Sequence, residues 1–245
     1  MSKNKIALVT GGARGIGKAI CRSLAKDGFK IAINYNNSEK EATALKNELA
    51  DITEVEIFKC DVSDSVAVKG MFSEISQRLG NVSVLVNNAG VAEQVLFTDI
   101  TDEMWQKMIN TNLSSAFYCS REALKSMINE KYGVVINIAS MWGEVGASME
   151  VHYSTAKAGL IGMTKALAKE VGLSGVRVNA VSPGVVLTDM MSSFSENDKE
   201  MLKEETPLNT LGTPENIADA VSFLVSDKAK FITGQIFSVN GGFVI

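Results

Sequence analysis

A single histidine, three cysteines and three prolines among 245 residues put several kinds of protein out of reach. Cys21, Cys60 and Cys119 are far apart and form no Cys-x-x-Cys pair, and His152 alone cannot complete a structural zinc site, so no metal is expected. An odd cysteine count with no leader-like segment points to a reducing cytoplasm. Neither sign of charge dominates. Twenty-eight acids against 24 bases leave a net charge of −4, which gathers neither nucleic acid nor an anionic membrane surface. No apolar run approaches the roughly 20 residues that span a bilayer. There is no Gly-x-Ser-x-Gly, and a lone histidine leaves a serine hydrolase no latitude. What remains is a chain with 46% hydrophobic residues and 20 glycines, neither disordered nor collagen-like and long enough for a sizeable core.

Short Val- and Ile-rich runs alternate with longer amphipathic stretches along the whole chain. The runs at 6–9, 30–33, 55–58, 82–86, 134–138, 176–181 and 235–239 predict seven strands. The stretches at 15–27, 38–50, 64–79, 101–129, 151–171 and 214–225 predict helices, with Thr101 and Thr213-Pro214 as helix starts. This order implies right-handed crossovers and a parallel sheet covered on both faces: a doubly wound, Rossmann-like α/β fold in one domain. Residues 188–207 break the rhythm. Met190, Met191, Phe194, Met201 and Leu202 lie there among polar residues, either as a short helical excursion packed on the body or as a lid with pliable thioethers over an apolar cleft.

The first strand runs into Thr10-Gly11-Gly12-Ala13-Arg14-Gly15-Ile16-Gly17 and then a helix. A glycine turn at that junction lets backbone approach a pyrophosphate that the helix N-terminus stabilises. The second strand ends in Asn34-Tyr35-Asn36 without the acid that bonds ribose hydroxyls in NAD enzymes. Arg14 could pair with a 2′-phosphate, so NADPH is the expected cofactor. Tyr153 and Lys157 are four apart on one helix face, where an ammonium would favour phenolate and lower the tyrosine pKa. Ser140 follows the fifth strand at the sheet edge where such sites form. His152, about 100° round the helix from Tyr153, is expected to be a wall residue.

The spacing Thr-Gly-x-x-x-Gly-x-Gly, followed in order by Asp61-Val62, Asn87-Asn88-Ala89-Gly90, Asn112, Ser140, Tyr153-Ser154-Thr155-Ala156-Lys157 and Pro183-Gly184, resembles the short-chain dehydrogenase/reductase family over essentially the whole chain. The resemblance implies a catalytic set of Asn112, Ser140, Tyr153 and Lys157. Tyr153 would donate the proton, Ser140 would bond the carbonyl, and Lys157 would also hold the nicotinamide ribose. Asn112 would hold a relay water. It implies a nucleotide site formed by Gly11, Arg14, Gly15, Ile16, Gly17, Tyr35, Asn36, Asp61, Val62, Asn88, Ala89, Gly90, Pro183, Gly184, Val186 and Thr188, with Tyr153 and Lys157 shared. Asp61 would reach the adenine amine and Thr188 the nicotinamide amide. The family also suggests a homotetramer.

Thr111 to Ser115, Ala156 to Lys165 and Phe231 to Gly242 are similar to 3-oxoacyl-[acyl-carrier-protein] reductases of fatty-acid synthesis, implying a carrier-linked ketone as substrate. The loop from Ser140 to Tyr153 departs from that pattern. An acidic carrier favours bases at the site mouth, yet this loop carries Glu144 and Glu150, and Ser174 stands where a base is frequent; Lys125 and Lys131 remain. Trp142 with two acids suits a cationic substrate end. The loop is similar to reductases of a 5-aminopentanone group on elongation factor P, which is the alternative substrate. A non-catalytic NADPH sensor is the alternative of another class, disfavoured by the intact catalytic set.

Overall fold

Parallel pairing covers both sides of β1 (Ile6–Val9), whose four residues are all buried. The computed structural model describes residues 5–188, 191 and 194–245. β1 is followed by α1 (Gly15–Lys26), β2 (Lys30–Tyr35), α2 (Glu39–Leu49), β3 (Val55–Lys59), α3 (Ser65–Arg78) and β4 (Val82–Asn87). Then come α4 (Asp102–Ile109), α5 (Ser115–Glu130), β5 (Gly133–Ile138), α6 (Trp142–Val145), α7 (Val151–Val171), β6 (Val176–Pro183), α8 (Glu196–Glu204), α9 (Pro214–Val225) and β7 (Ile236–Val239). The strands form one seven-stranded parallel sheet in the order β3-β2-β1-β4-β5-β6-β7. The chain therefore reverses its winding between β1 and β4, and a ligand crevice opens at such a switch point.

Strand alternation sends side chains to two cores. Ala7 and Val9 join Ile20 and Leu24 of α1, Leu45 of α2 and Val221 of α9 on one face. Ile6 and Leu8 join Ile75 of α3, Met127 of α5 and Val171 of α7 on the other. Cys21 lies in the first core, Cys60 and Cys119 in the second; all three are free and burial pushes their thiols up. No helix among the described residues is long and apolar enough to cross a membrane.

Seven strands stand where the apolar runs predict them, but several extend further into polar residues. β2 continues through Asn34 because its buried amide donates to the carbonyl of Cys60 at 3.0 Å on the neighbouring segment. β4 continues to Asn87, which donates to Asn137 of β5 at 2.8 Å. The long helix expected over 101–129 runs unbroken but takes a π-helical turn at Asn110–Ser114 between α4 and α5. Inside that turn the Asn112 side chain donates to the carbonyls of Met108 and Val91, and its oxygen accepts from the Val91 N–H. The 188–207 excursion holds α8, started by a Ser195/Asp198 capping box. Met191 is buried, whereas Met190 lies outside the described residues.

Candidate active site

The glycine turn after β1 fits a dinucleotide by what its glycines exclude. A Cβ on Gly17 would lie 2.4 Å from the Gly11 carbonyl and 2.6 Å from the Asn88 amide nitrogen. Gly11 and Gly15 adopt φ of +59° and +49°, which disfavours side chains. The first turn of α1 has no acid, and Arg14 at its N-cap makes no side-chain cap, so no local carboxylate competes for its amides. Across the crevice, Thr188 would meet a Gly15 Cβ at 3.6 Å, so the 184–188 segment faces the turn. Gly184 is pressed on Asn240, 2.7 Å from its Cα if a Cβ were added. Val62 and Val186 are buried. Asp61 accepts from the N–H and hydroxyl of Ser63, while Asp64 caps α3; helix capping is therefore not the work of Asp61.

At the end of β2, Tyr35 is buried and Asn36 exposed. Burial raises the Tyr35 phenol above its ordinary range, and the charge of Glu39 adds to this. Glu39, in the first turn of α2, is thus an acid near the strand end, a little beyond Asn36.

The four catalytic candidates converge. Ser140 follows β5 and stands beside Tyr153 of α7, near enough for its hydroxyl to oppose the upward shift of the phenol. The Ser140 oxygen also accepts from the Trp142 N–H at 3.2 Å. Lys157 Nζ lies 5.7 Å from the centre of the Tyr153 ring and donates to the Ile138 carbonyl at 2.8 Å. A Cβ on Gly90 would be 2.6 Å from Asn112 Oδ1 and 3.6 Å from Lys157 Nζ, so the bare backbone there lets both reach one spot. The electrostatics correct the sequence reading. Burial pushes the Tyr153 phenol up to about 12, with Ser140 opposing and the Glu150 charge adding, rather than Lys157 pulling it down. Lys157 has itself been pushed down to about 8 by burial. His152 is fully buried, with neither ring nitrogen bonded to protein among the described residues. It belongs to the helix packing, as a wall residue should.

The substrate loop divides where the sequence treats it as one patch. The Trp142 ring meets Phe243 edge-on at 5.8 Å. Glu144 accepts from the hydroxyls of Ser182 at 2.5 Å and Ser238 at 3.2 Å. Both side chains are tied to the ends of β6 and β7 and the following segment, so Trp142 and Glu144 stand apart from Glu150. Glu150 stands on the Tyr153 side, where its charge adds to the upward shift of the phenol. It precedes α7, accepts from Gln94 at 3.2 Å and is partly buried, which raises its carboxyl. Lys131 and Ser174 are misplaced as mouth residues within one chain. They stand before β5 and β6, where a Gly175 Cβ would strike the Lys131 carbonyl, at the amino edge of the sheet. A six-residue strand puts that edge about 20 Å from the edge bearing Ser140.

Other contributors carry no individual signal in the sequence. Thr10 accepts from the N–H groups of Asn88 and Ala89 at 2.9 and 3.0 Å, bolting the glycine turn to the end of β4. Its place in the Thr-Gly pair was the available hint. Asn34 accepts from the Gly11 N–H at 3.2 Å, and the Ile138 carbonyl orients Lys157. Nothing in a linear reading joins Gln94 to Glu150.

A glycine cradle at the switch point and a Ser–Tyr–Lys group beside it define a nicotinamide-nucleotide oxidoreductase built on one doubly wound sheet. Residues 11–244 match the family model described as enoyl-(acyl carrier protein) reductase. The chain is 40% identical over 243 residues, 99% of each sequence, to the 3-oxoacyl-[acyl-carrier-protein] reductase FabG of Staphylococcus aureus. It is 41% identical over 241 residues, 98% of each, to the uncharacterized oxidoreductase YmfI of Bacillus subtilis. It is 40% identical over 240 residues, 98% of each, to the acetoacetyl-CoA reductase of Rhizobium meliloti. The chain belongs to the short-chain dehydrogenase/reductase family.

Proposed function

We propose that the chain reduces a 3-oxoacyl thioester, carried by acyl carrier protein, to the 3-hydroxyacyl form with NADPH. The observation that carries this reading is the gathering of Ser140, Tyr153 and Lys157, whose Nζ lies 5.7 Å from the Tyr153 ring, beside the Asn88–Gly90 segment that packs on the glycine turn. Gly11, Gly15, Ile16, Gly17, Asp61, Val62, Asn88 to Gly90 and the 183–188 segment would hold the dinucleotide, with Arg14 at its 2′-phosphate. When bound, NADPH supplies a hydride for the ketone carbon. Ser140 donates a hydrogen bond to the ketone oxygen, and Tyr153 gives that oxygen its proton. A phenol held near 12 is protonated at neutral pH and so is poised as an acid; its proton leaves toward the much more basic developing alkoxide. Lys157, fixed by Ile138, would bind the ribose and stabilise the phenolate that remains. Asn112 shapes the wall beside Lys157, where a relay water would sit. The segment bearing Met191 and α8 would form the lid, and the enzyme would act as a cytoplasmic homotetramer.

One observation favours a second substrate. Glu150 is the acid of the loop whose charge reaches Tyr153, which suits a ketone ending in an ammonium, such as 5-aminopentanone on elongation factor P. A panel of acetoacetyl-CoA, acetoacetyl-acyl carrier protein and the aminopentanone-modified factor, each with NADPH and NADH, separates the readings. Preference for the modified factor would replace the thioester assignment, and no reduction of any ketone would overturn both.

A further inference from the structure

We propose that Glu144 is a positioning residue that locks the Ser140-bearing loop after β5 to the ends of β6 and β7. The inference rests on the ketone-reductase reading of the site. Hydride and proton must reach two atoms of one carbonyl, so the Ser140 segment and the 183–188 segment have to keep a fixed mutual placement. Backbone pairing supplies this only in part. The N–H of Ala139 donates to Val181 and that of Met141 to Pro183, at 2.8 and 3.0 Å. Beyond Met141, the backbone bonds of α6 are to its own turn, such as Glu144 N–H to the Met141 carbonyl at 2.9 Å.

The Glu144 carboxylate continues the link where the backbone stops. It spans two neighbouring strands at one register position, since Ser182 of β6 pairs with Ser238 of β7. Ser182 is fully buried, and its hydroxyl donates to Glu144. A charged acceptor makes this bond stronger than one between neutral groups. On its other side α6 lies on the catalytic helix: a Cβ on Gly143 would be 2.8 Å from the Lys157 backbone carbon. The short helix is therefore a wedge between Lys157 and the β6–β7 ends, and Glu144 is its anchor.

The test compares E144A, E144Q, S182A and E144A/S182A. The readouts are kcat and KM with acetoacetyl-CoA and NADPH, thermal melting, and amide hydrogen exchange across residues 139–146 in the enzyme without substrate. E144A should lose about 10- to 100-fold in kcat, the scale of a misplaced reacting geometry, with KM for NADPH little changed. Exchange at 141–146 should accelerate. E144Q, whose amide oxygen still accepts from both serines, should return to within about threefold of the parent, the size of one weakened hydrogen bond. The double variant should be no worse than E144A. A lowered melting temperature with unchanged kcat, or unchanged exchange, would overturn the proposal, as would E144Q being as impaired as E144A. If the parent enzyme reduces no ketone of the panel, the ketone-reductase reading fails, while the exchange comparison still decides the anchoring.

Discussion

Lys157 Nζ donates to the carbonyl of Ile138, two residues before Ser140, at 2.8 Å. The lysine of α7 is thus held by the same strand end that presents the serine. Its position is set by backbone, and its charge by what little solvent reaches it.

Replacing Tyr153 with Phe removes the proton donor and leaves the ring packing in place. Turnover should fall by about 10²-fold or more, because a positioned general acid contributes at least that. NADPH affinity, measured by fluorescence titration, should be nearly unchanged. Turnover above about a tenth of the parent value would take the role away from Tyr153.

Burial lowers the Lys157 pKa from 10.5 to about 8, so the folded state resists its charge. The unfolded chain holds that proton up to pH 10.5. Below pH 8 both states are protonated and the folding penalty is complete; between 8 and 10.5 it fades, and stability rises with pH. Lys157→Met should therefore stabilise the fold by about 3 kcal/mol near pH 7 while abolishing turnover. Denaturant unfolding at pH 7 and pH 10 checks this: the gain should be smaller at the higher pH, and a gain that grows with pH contradicts the assignment.

Arg14 stands at the start of α1 and is exposed at the glycine turn. Arg14→Ala should weaken NADPH by about 10- to 150-fold, the value of a charge-assisted hydrogen bond, and NADH far less. Binding isotherms for the two cofactors decide it. Equal losses, or a parent enzyme that prefers NADH, would shift the nucleotide choice toward the Glu39 side of the pocket.

With Glu144 tied to Ser182, the substrate charge test falls on Glu150 alone. Glu150→Gln keeps shape and removes charge. A ketone bearing an ammonium should lose kcat/KM, and acetoacetyl-CoA should change little. Acetoacetyl-acyl carrier protein should improve, and that gain should shrink with salt, as the Debye length falls from about 10 Å at 0.1 M to about 3 Å at 1 M. Identical responses from all three substrates would place Glu150 outside recognition.

By itself the sequence determined the winding and the identity of the reacting groups. Val- and Ile-rich runs bounded by glycine turns predict strands in place, because a strand buried on both faces has little choice of residue. The Thr10–Gly17 turn and the Tyr153/Lys157 spacing are local, so they can be read along the chain. What only the tertiary structure decided depends on distant partners. Asn34 and Asn87 are strand residues because their buried amide nitrogens donate to neighbouring segments, and a linear pattern reads them as strand ends. Asn112 sits in a π-turn because Val91, 21 positions earlier, takes up its side chain. Glu144 and Glu150 look alike in sequence, six residues apart. One is bound across β6 and β7, and the other stands by Gln94 and Tyr153. The same holds for charge: a phenol near an ammonium is expected to fall in pKa, but burial acts on both groups and outweighs the pairing, a balance that exists only once the chain is folded.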